Sequence, residues 1–297
     1  MPGSVVVSPH LDDAAFSASA KLGLGGATVV TVFTAVPDAD WPTSWWDLLT
    51  GATNSRDRQL ERQAEDAIAM RLLKAHTIYL GEYELLYRSE WPDLSAATEQ
   101  LTECFRSADE VWLPAAIGGH PDHRMTRDIG LRAAARSGRQ EILLYADYPY
   151  ILTYGWPPSL TGRAPRTYVD ADFWLTNQFR EVGIDPDVLN PELIILDAEQ
   201  RALKQEVIGA YRSQAQALSL GPADLASDPT KLDYELRWRM AVTSYPESIN
   251  VSPSERIHPG SYGFYPREPQ DSIPSCLARS YQSLMVSPNP PTTNGQH

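Results

Sequence analysis

The chain has 297 residues, 42% of them hydrophobic, enough to bury a sizeable core in one large domain or two small ones. Its formal net charge of −13 argues against nucleic acid or an anionic membrane as a partner. No apolar run approaches the roughly 20 residues that span a bilayer. Met1-Pro2-Gly3-Ser4 carries no basic segment of the kind that opens a signal peptide, and Cys104 and Cys276 form no CxxC or CxxH pair. A soluble cytoplasmic protein with two reduced thiols is the expectation.

Val5-Val6-Val7 is a short apolar run and predicts a buried strand over Val5–Ser8. A helix over Ala14–Leu24 and a strand over Thr28–Thr34 follow, and then a loop rich in Pro and Trp that contains Trp41-Pro42-Thr43-Ser44-Trp45-Trp46. Ala64, Ala67, Ile68, Leu72 and Leu73 recur at helical spacing and predict a helix from about Ser55 to Lys74. Next come a strand over Thr77–Leu80, a helix over Leu94–Ser107, a strand over Glu110–Pro114, a helix from about Ile129 to Ser137 and a strand over Ile142–Tyr145. This alternation predicts an α/β fold, a Rossmann-like, mostly parallel sheet with helices on both faces. Residues 147–192 are rich in Pro, Tyr and Trp and are expected to be mostly irregular, with room for a hairpin added at the sheet edge. Glu192–Leu196 reads as a strand, and Asp197 as the N-cap of a helix running to Ala217. An irregular C-terminal extension completes a single domain over residues 1–286, and the Pro- and Asn-rich tail 287–297 has too little to bury to be ordered.

Three of the six histidines fall in two clusters, Pro9-His10-Leu11-Asp12-Asp13 and His120-Pro121-Asp122-His123. Each follows a predicted parallel strand, and ligands of open α/β sheets bind beyond the carboxyl ends of such strands. His10, Asp13 and His123 would supply two nitrogens and one carboxylate to a metal, a set that suits Zn2+ and leaves a position open for water. Bound zinc lowers the pKa of its water toward about 7. Asp12, next to Asp13, is then placed to take the water's proton, His120 to border the site as a proton donor or oxyanion partner, and Asp122 to fix the tautomer of a histidine. Taken singly, Asp12-Asp13 reads equally well as a helix N-cap pair, and the second cluster as a surface turn. Their pairing after two strands favours a site. The same His/Asp/His set also spells the facial triad of a non-haem iron oxygenase, although those enzymes use other folds, and a metal phosphoesterase would need more carboxylates or basic groups than the clusters offer.

Five further residues bear on substrate. Trp41, Trp45 and Trp46 lie in a loop leaving the second strand on the side of the site, and aromatic faces pack on sugar C–H surfaces or acyl chains. The plainer reading is that they pack the loop onto the body. Asp147 follows another strand end and is expected to line the cleft. Arg62 is a candidate for a substrate hydroxyl or phosphate, against the commoner case of an exposed helix charge.

The two boxes resemble those of the LmbE-like, or PIG-L, family of zinc-dependent N-deacetylases. Two more segments are similar to family motifs: Arg62-Gln63-Ala64-Glu65, and Lys204 with Tyr211-Arg212-Ser213-Gln214; Glu255-Arg256 is a weaker match. The resemblance implies a Rossmann-like fold, zinc on His10, Asp13 and His123, and Asp12 as general base. It also implies a metal-dependent amidohydrolase that removes an N-acyl group, N-acetyl above all, from a small amino sugar or glycoconjugate, as in antibiotic biosynthesis. An amidase of a thiol-sugar conjugate and a carbohydrate-binding relative without catalysis are the alternatives within it. The chain departs from the family pattern at Ala14, where Glu is usual, at Gly118-Gly119, where some members carry Tyr, and at Leu73-Lys74, where Leu-Gly is usual. These departures bear on substrate more than on the reaction.

Overall fold

The computed structural model describes residues 3–165 and 168–242. In chain order the main elements are β1 (Val5–Ser8), α1 (Asp13–Ser17), α2 (Ser19–Leu22), β2 (Thr28–Phe33), α3 (Trp45–Leu49), α4 (Ser55–Leu72), β3 (His76–Glu82), α5 (Ser95–Arg106), β4 (Val111–Pro114), α6 (Pro121–Arg136) and β5 (Glu141–Tyr145). Then come α7 (Pro158–Thr161), α8 (Ala171–Glu181), β6 (Asn190–Ile195), α9 (Ala198–Ala210), α10 (Arg212–Ala215), α11 (Pro222–Ser227) and β7 (Tyr234–Ala241). The strands form one sheet in the order β3-β2-β1-β4-β5-β7-β6. The first five are parallel; β7 runs antiparallel to both β5 and β6.

The sheet is doubly wound, and its strand order reverses between β1 and β4. Both strands are buried along their whole length, as central parallel strands covered on two faces must be. The edge strand β3 is largely exposed. Ligands of such sheets bind beyond the carboxyl ends of the strands at this switch point, and the segments that leave β1 and β4 there are His10–Asp13 and His120–His123.

The sequence expectations hold for the parallel half and fail in instructive places. The helix expected over Ala14–Leu24 is two short helices that break at Ala18 (φ −134°, ψ 30°). Ser17 and Ser19 flank the break, and both are bound to the C-terminal half: Tyr148 N–H donates to Ser17 Oγ (3.1 Å), and Ser19 Oγ donates to Glu235 (2.6 Å). The helix after β4 starts at Pro121, not near Ile129, because His120-Pro121 is itself the helix start, with proline in the first turn where its missing N–H costs nothing. Residues 147–192, expected to be mostly irregular, also contain the eleven-residue helix α8. The expected edge hairpin is instead β6 paired with a strand from far downstream, β7, in which Tyr234, Leu236, Trp238 and Met240 alternate into the core. The helix from Asp197 ends at Ala210, and α10 resumes after Tyr211. Lys74, at the usual family glycine, takes φ 52° to end the turn after α4. Glu255, Cys276 and the 286/287 boundary lie outside the described residues.

One buried ion pair ties the last described strand to the helices behind the first box. Lys204 on α9 donates to Glu235 on β7 (3.0 Å), both essentially without exposure, and the ammonium lies 4.6 Å from the centre of the Tyr148 ring. Glu235 also accepts from Ser19 Oγ and Ala20 N–H at the start of α2. Removing one member strands a buried charge. Lys204→Met is therefore expected to cost about 3–5 kcal/mol in urea unfolding, and Lys204→Met combined with Glu235→Met markedly less. Equal losses in the single and double variants would remove the pair from this role.

Candidate metal centre

The first box leaves β1 in a tight turn. Ser8 Oγ donates to His10 O (2.6 Å) and accepts the Ala14 N–H (2.9 Å). Asp12 occupies the N-cap position of α1, yet its carboxylate makes no cap hydrogen bond. Capping therefore does not account for the Asp-Asp pair. Leu11 O is held from behind by Tyr211 Oη (3.0 Å), which reaches it from the chain's C-terminal half. The second box begins α6: His120 is the N-cap, its Nδ1 accepting the Asp122 N–H (3.2 Å), and the first turn carries Asp122 and His123 inward.

The two boxes meet in space. The rings of His10, His120 and His123 lie 5.1–5.3 Å apart, a near-equilateral triangle. Two groups of ligand atoms lie close enough to hold one ion, His10 with Asp13 and His123, and His10 with His120 and Asp122.

Hydrogen bonding favours the first group. Asp147 Oδ1 meets His123 Nδ1 (2.7 Å); a carboxylate only accepts, so the proton sits on Nδ1 and the Nε2 lone pair faces Asp13 Oδ2 (3.3 Å). Asp122 Oδ2 does the same for His10, fixing the proton on Nε2 (3.0 Å) and leaving Nδ1 to face Asp13 Oδ2 at 3.1 Å. Two imidazole lone pairs thus converge on one carboxylate oxygen, each backed by a second carboxylate, which is how metal-binding histidines are held. Such an arrangement requires a cation, a metal ion or protons. The donor set, two nitrogens and one oxygen, fits a divalent transition metal.

Protonation follows the same logic. Burial works against a charged His123, but Asp13 and Asp147 outweigh it and push its pKa up to about 9. His10 is raised too, against burial, by Asp122 and Asp13. Asp13 is held well below the usual carboxylate range, despite burial, by His123 and His10. Burial, then the Asp13 charge, pushes Asp12 up to about 6, with Arg62 and His10 opposing. Burial, with the neighbouring His10 and His123, brings His120 down to about 3, although Asp122 opposes. His120 is therefore neutral near pH 7 in the metal-free protein, and its Nε2 carries the ring proton because Nδ1 accepts the Asp122 N–H.

The remaining candidates divide. Arg62 is buried, donates to Glu84 (2.9 Å) and lies within electrostatic reach of Asp12; it is not an exposed helix charge. Asp147, expected to line the cleft, is fully buried and spends both oxygens on His123 and the Ile117 N–H (2.8 Å), because the strand end turns it under the second box. Trp41 and Trp46 direct their ring N–H groups to Leu86 O (3.2 Å) and Gln214 Oε1 (2.8 Å), and Trp45 packs edge-to-face on Trp46. The rings pin the loop to the body while staying partly exposed. The helix motifs bind one another: Ser213 Oγ donates to Glu65 (2.6 Å), and Tyr211 Oη to Asp66 (2.8 Å). Two contributors were missed, Glu84 and Arg88; Tyr150 belongs to the segment after Asp147 that was expected to line the cleft. Arg88 is ion-paired with Asp122. The Tyr150 ring stands edge-on to His123 and covers Gly118, where a Cβ would come within 2.5 Å of it. No motif marks Glu84 or Arg88; only the loop paths bring them in.

The fold and site define a doubly wound α/β protein with a His/Asp metal-type centre at its switch point. Residues 5–134 match the model of the PIG-L family, GlcNAc-PI de-N-acetylase. A curated relative, 2'-N-acetylparomamine deacetylase of Streptomyces fradiae, is 32% identical over 168 residues, 50% of this chain and 57% of the relative's length. Among solved structures, the antimicrobial reagent A40926 pseudoaglycone deacetylase superposes with a TM-score of 0.60 at 26% identity, covering 82% of this chain and 98% of that one. A zinc-inhibited form of a teicoplanin deacetylase shares the fold, with a TM-score of 0.58 at 21% identity over 80% of this chain and 98% of that one. Among the described residues, no helix is long and apolar enough to cross a membrane.

Because His123 and His10 hold protons in the metal-free protein, a metal must displace them. Affinity for a divalent metal is therefore expected to rise with pH between 6 and 9, releasing about one to two protons per ion. Calorimetry in buffers of different ionisation heat measures this release. Metal binding that is independent of pH over this range would contradict the assignment.

Proposed function

We propose that the protein is a zinc-dependent N-deacetylase that hydrolyses the N-acetyl group of an amino sugar in a small glycoside of antibiotic biosynthesis, met in the cytoplasm. The observation that carries this reading is the convergence of His10 and His123 on Asp13 Oδ2 with the uncapped, buried Asp12 beside it. The named deacetylase relatives support the reaction and the substrate class. The doubly wound sheet favours a hydrolase over the iron oxygenase alternative, and Asp12 favours an enzyme over a binding relative, since binding alone needs no base at that place.

His10, Asp13 and His123 would hold the metal. When bound, zinc lowers the pKa of its water toward about 7 and polarises an amide carbonyl. Asp12 takes the proton of the attacking water; its raised pKa, about 6, lets it return that proton to the departing amine. The leaving nitrogen must be protonated to depart, and neutral His120 does not supply that proton. His120 instead offers its Nε2–H to the carbonyl oxygen as negative charge grows there. Asp122 and Asp147 hold the two ligand imidazoles in their tautomers. Arg62, neutralised by Glu84, steadies the charge of Asp12 and stands ready for a polar group of the substrate. The partly exposed Trp41, Trp45 and Trp46 would supply the apolar faces on which a sugar or acyl group packs.

Incubation with a panel of N-acetylated amino-sugar glycosides, following free amine and acetate together, tests the reaction; zinc-loaded protein that releases neither from any member sinks it. The purified protein is expected to bind about one zinc per chain, and His10→Ala and His123→Ala to lose it. Unchanged zinc content in either variant would refute the ligand set. Asp12→Asn is expected to keep the metal and lose on the order of 10²–10⁴ in turnover. Near wild-type turnover in that variant would mean another group is the base.

A further inference from the structure

Asp122 is fully buried, and its carboxylate is met by donors from three places. His10 Nε2 (3.0 Å) and Leu85 N–H (2.9 Å) reach Oδ2, while Arg88 Nη2 donates to Oδ1. We propose that Arg88 is a positioning residue for the metal centre: it holds the Asp122 carboxylate where that carboxylate fixes the His10 ring, and so sets how His10 presents Nδ1 to the ion. The inference rests on the metal reading above.

Arg88 lies on the segment after β3, outside both His/Asp boxes. Its guanidinium is fixed from three sides. Nη2 holds Asp122, Nη1 donates to the Tyr83 carbonyl, and the group lies 5.0 Å from the centre of the Phe33 ring. Phe33 in turn packs 6.1 Å from the His10 ring. A planar fork can span a carboxylate and a carbonyl at once in this way; a lysine ammonium has no such fixed geometry. The relay matters because His10 has a competing partner: Glu84 Oε2 stands 3.8 Å from the same Nε2. With Asp122 released, the ring can turn toward Glu84, and Nδ1 then leaves the direction of Asp13.

Zinc affinity of the full chain, measured by competition with a chelator, tests this in four variants. Arg88→Met is expected to weaken zinc binding by about 10–100-fold, the range found for residues that hold a metal ligand from behind. Arg88→Lys, which keeps a compensating charge, falls between Arg88→Met and wild type. In the Asp122→Asn background, adding Arg88→Met costs no further affinity, because the carboxylate that Arg88 holds is gone. Wild-type affinity in Arg88→Met or in Arg88→Lys overturns the proposal. So does a full additional loss when Arg88→Met is added to Asp122→Asn, which would mean that Arg88 acts by another route. If Arg88→Met fails to fold, Arg88→Lys and the Asp122→Asn pair still decide. Protein that binds no zinc through His10, Asp13 and His123 sinks both readings; wild-type zinc binding indifferent to Arg88 sinks this one alone.

Discussion

The meeting of two imidazole lone pairs on one oxygen of Asp13 is the constraint around which the rest of the molecule is arranged. Left alone it is repulsive, and it survives only with a cation in it. Each histidine is turned toward Asp13 by a carboxylate behind it, Asp122 for His10 and Asp147 for His123. Those carboxylates are themselves buried, so each needs its own donors: Arg88 and Leu85 N–H for Asp122, Ile117 N–H for Asp147. The centre is thus a nest of charges in which every layer is justified by the one inside it. A buried charge without such a partner would be among the costliest features a fold can carry.

The short segment from Glu84 to Arg88 does much of this supporting. Glu84 holds Arg62, Leu85 and Arg88 hold Asp122, Leu86 O accepts from Trp41, and Tyr87 Oη donates to the buried Asp47 at 3.1–3.2 Å. Asp47 also accepts from Ser44, the N-cap of the Trp helix α3, and from Ser55, which begins α4, tying the starts of the two helices together. One five-residue stretch therefore fastens the tryptophan loop and steadies the candidate metal centre. On the opposite side, Tyr211 reaches from the far end of α9 to Leu11 O, and Glu65 takes Ser213. The late helix motif works as a brace for the first box, which explains its residue types without giving it a part in the chemistry.

How much of this was legible in the sequence depended on whether the signal was local. Val5–Ser8 and the parallel strands announced themselves as apolar runs, and the two boxes were readable because His and Asp at short spacing after a strand are uncommon and chemically specific. The strand Tyr234–Ala241 was not anticipated, because an isolated alternation of Tyr234, Leu236, Trp238 and Met240 far from its partner strand does not say which sheet it joins. The expected start of α6 near Ile129 is too late, although proline, here Pro121, is favoured in the first turn of a helix.

The sequence by itself determined the chemistry available: which groups could bind a metal, which can move a proton, and that a parallel sheet would carry them on neighbouring strand ends. Only the tertiary structure decided their roles. It turned Asp147 under His123 rather than toward a substrate, buried Arg62 against Glu84, lowered the basicity of His120 by burying it beside two other imidazoles, and brought Arg88 to Asp122 from a loop with no motif. The physical reason is that residue type fixes what a side chain can donate or accept. Proton position, charge and orientation are set by neighbours that arrive from 20 to 200 residues away, through burial and hydrogen bonds that no local pattern records.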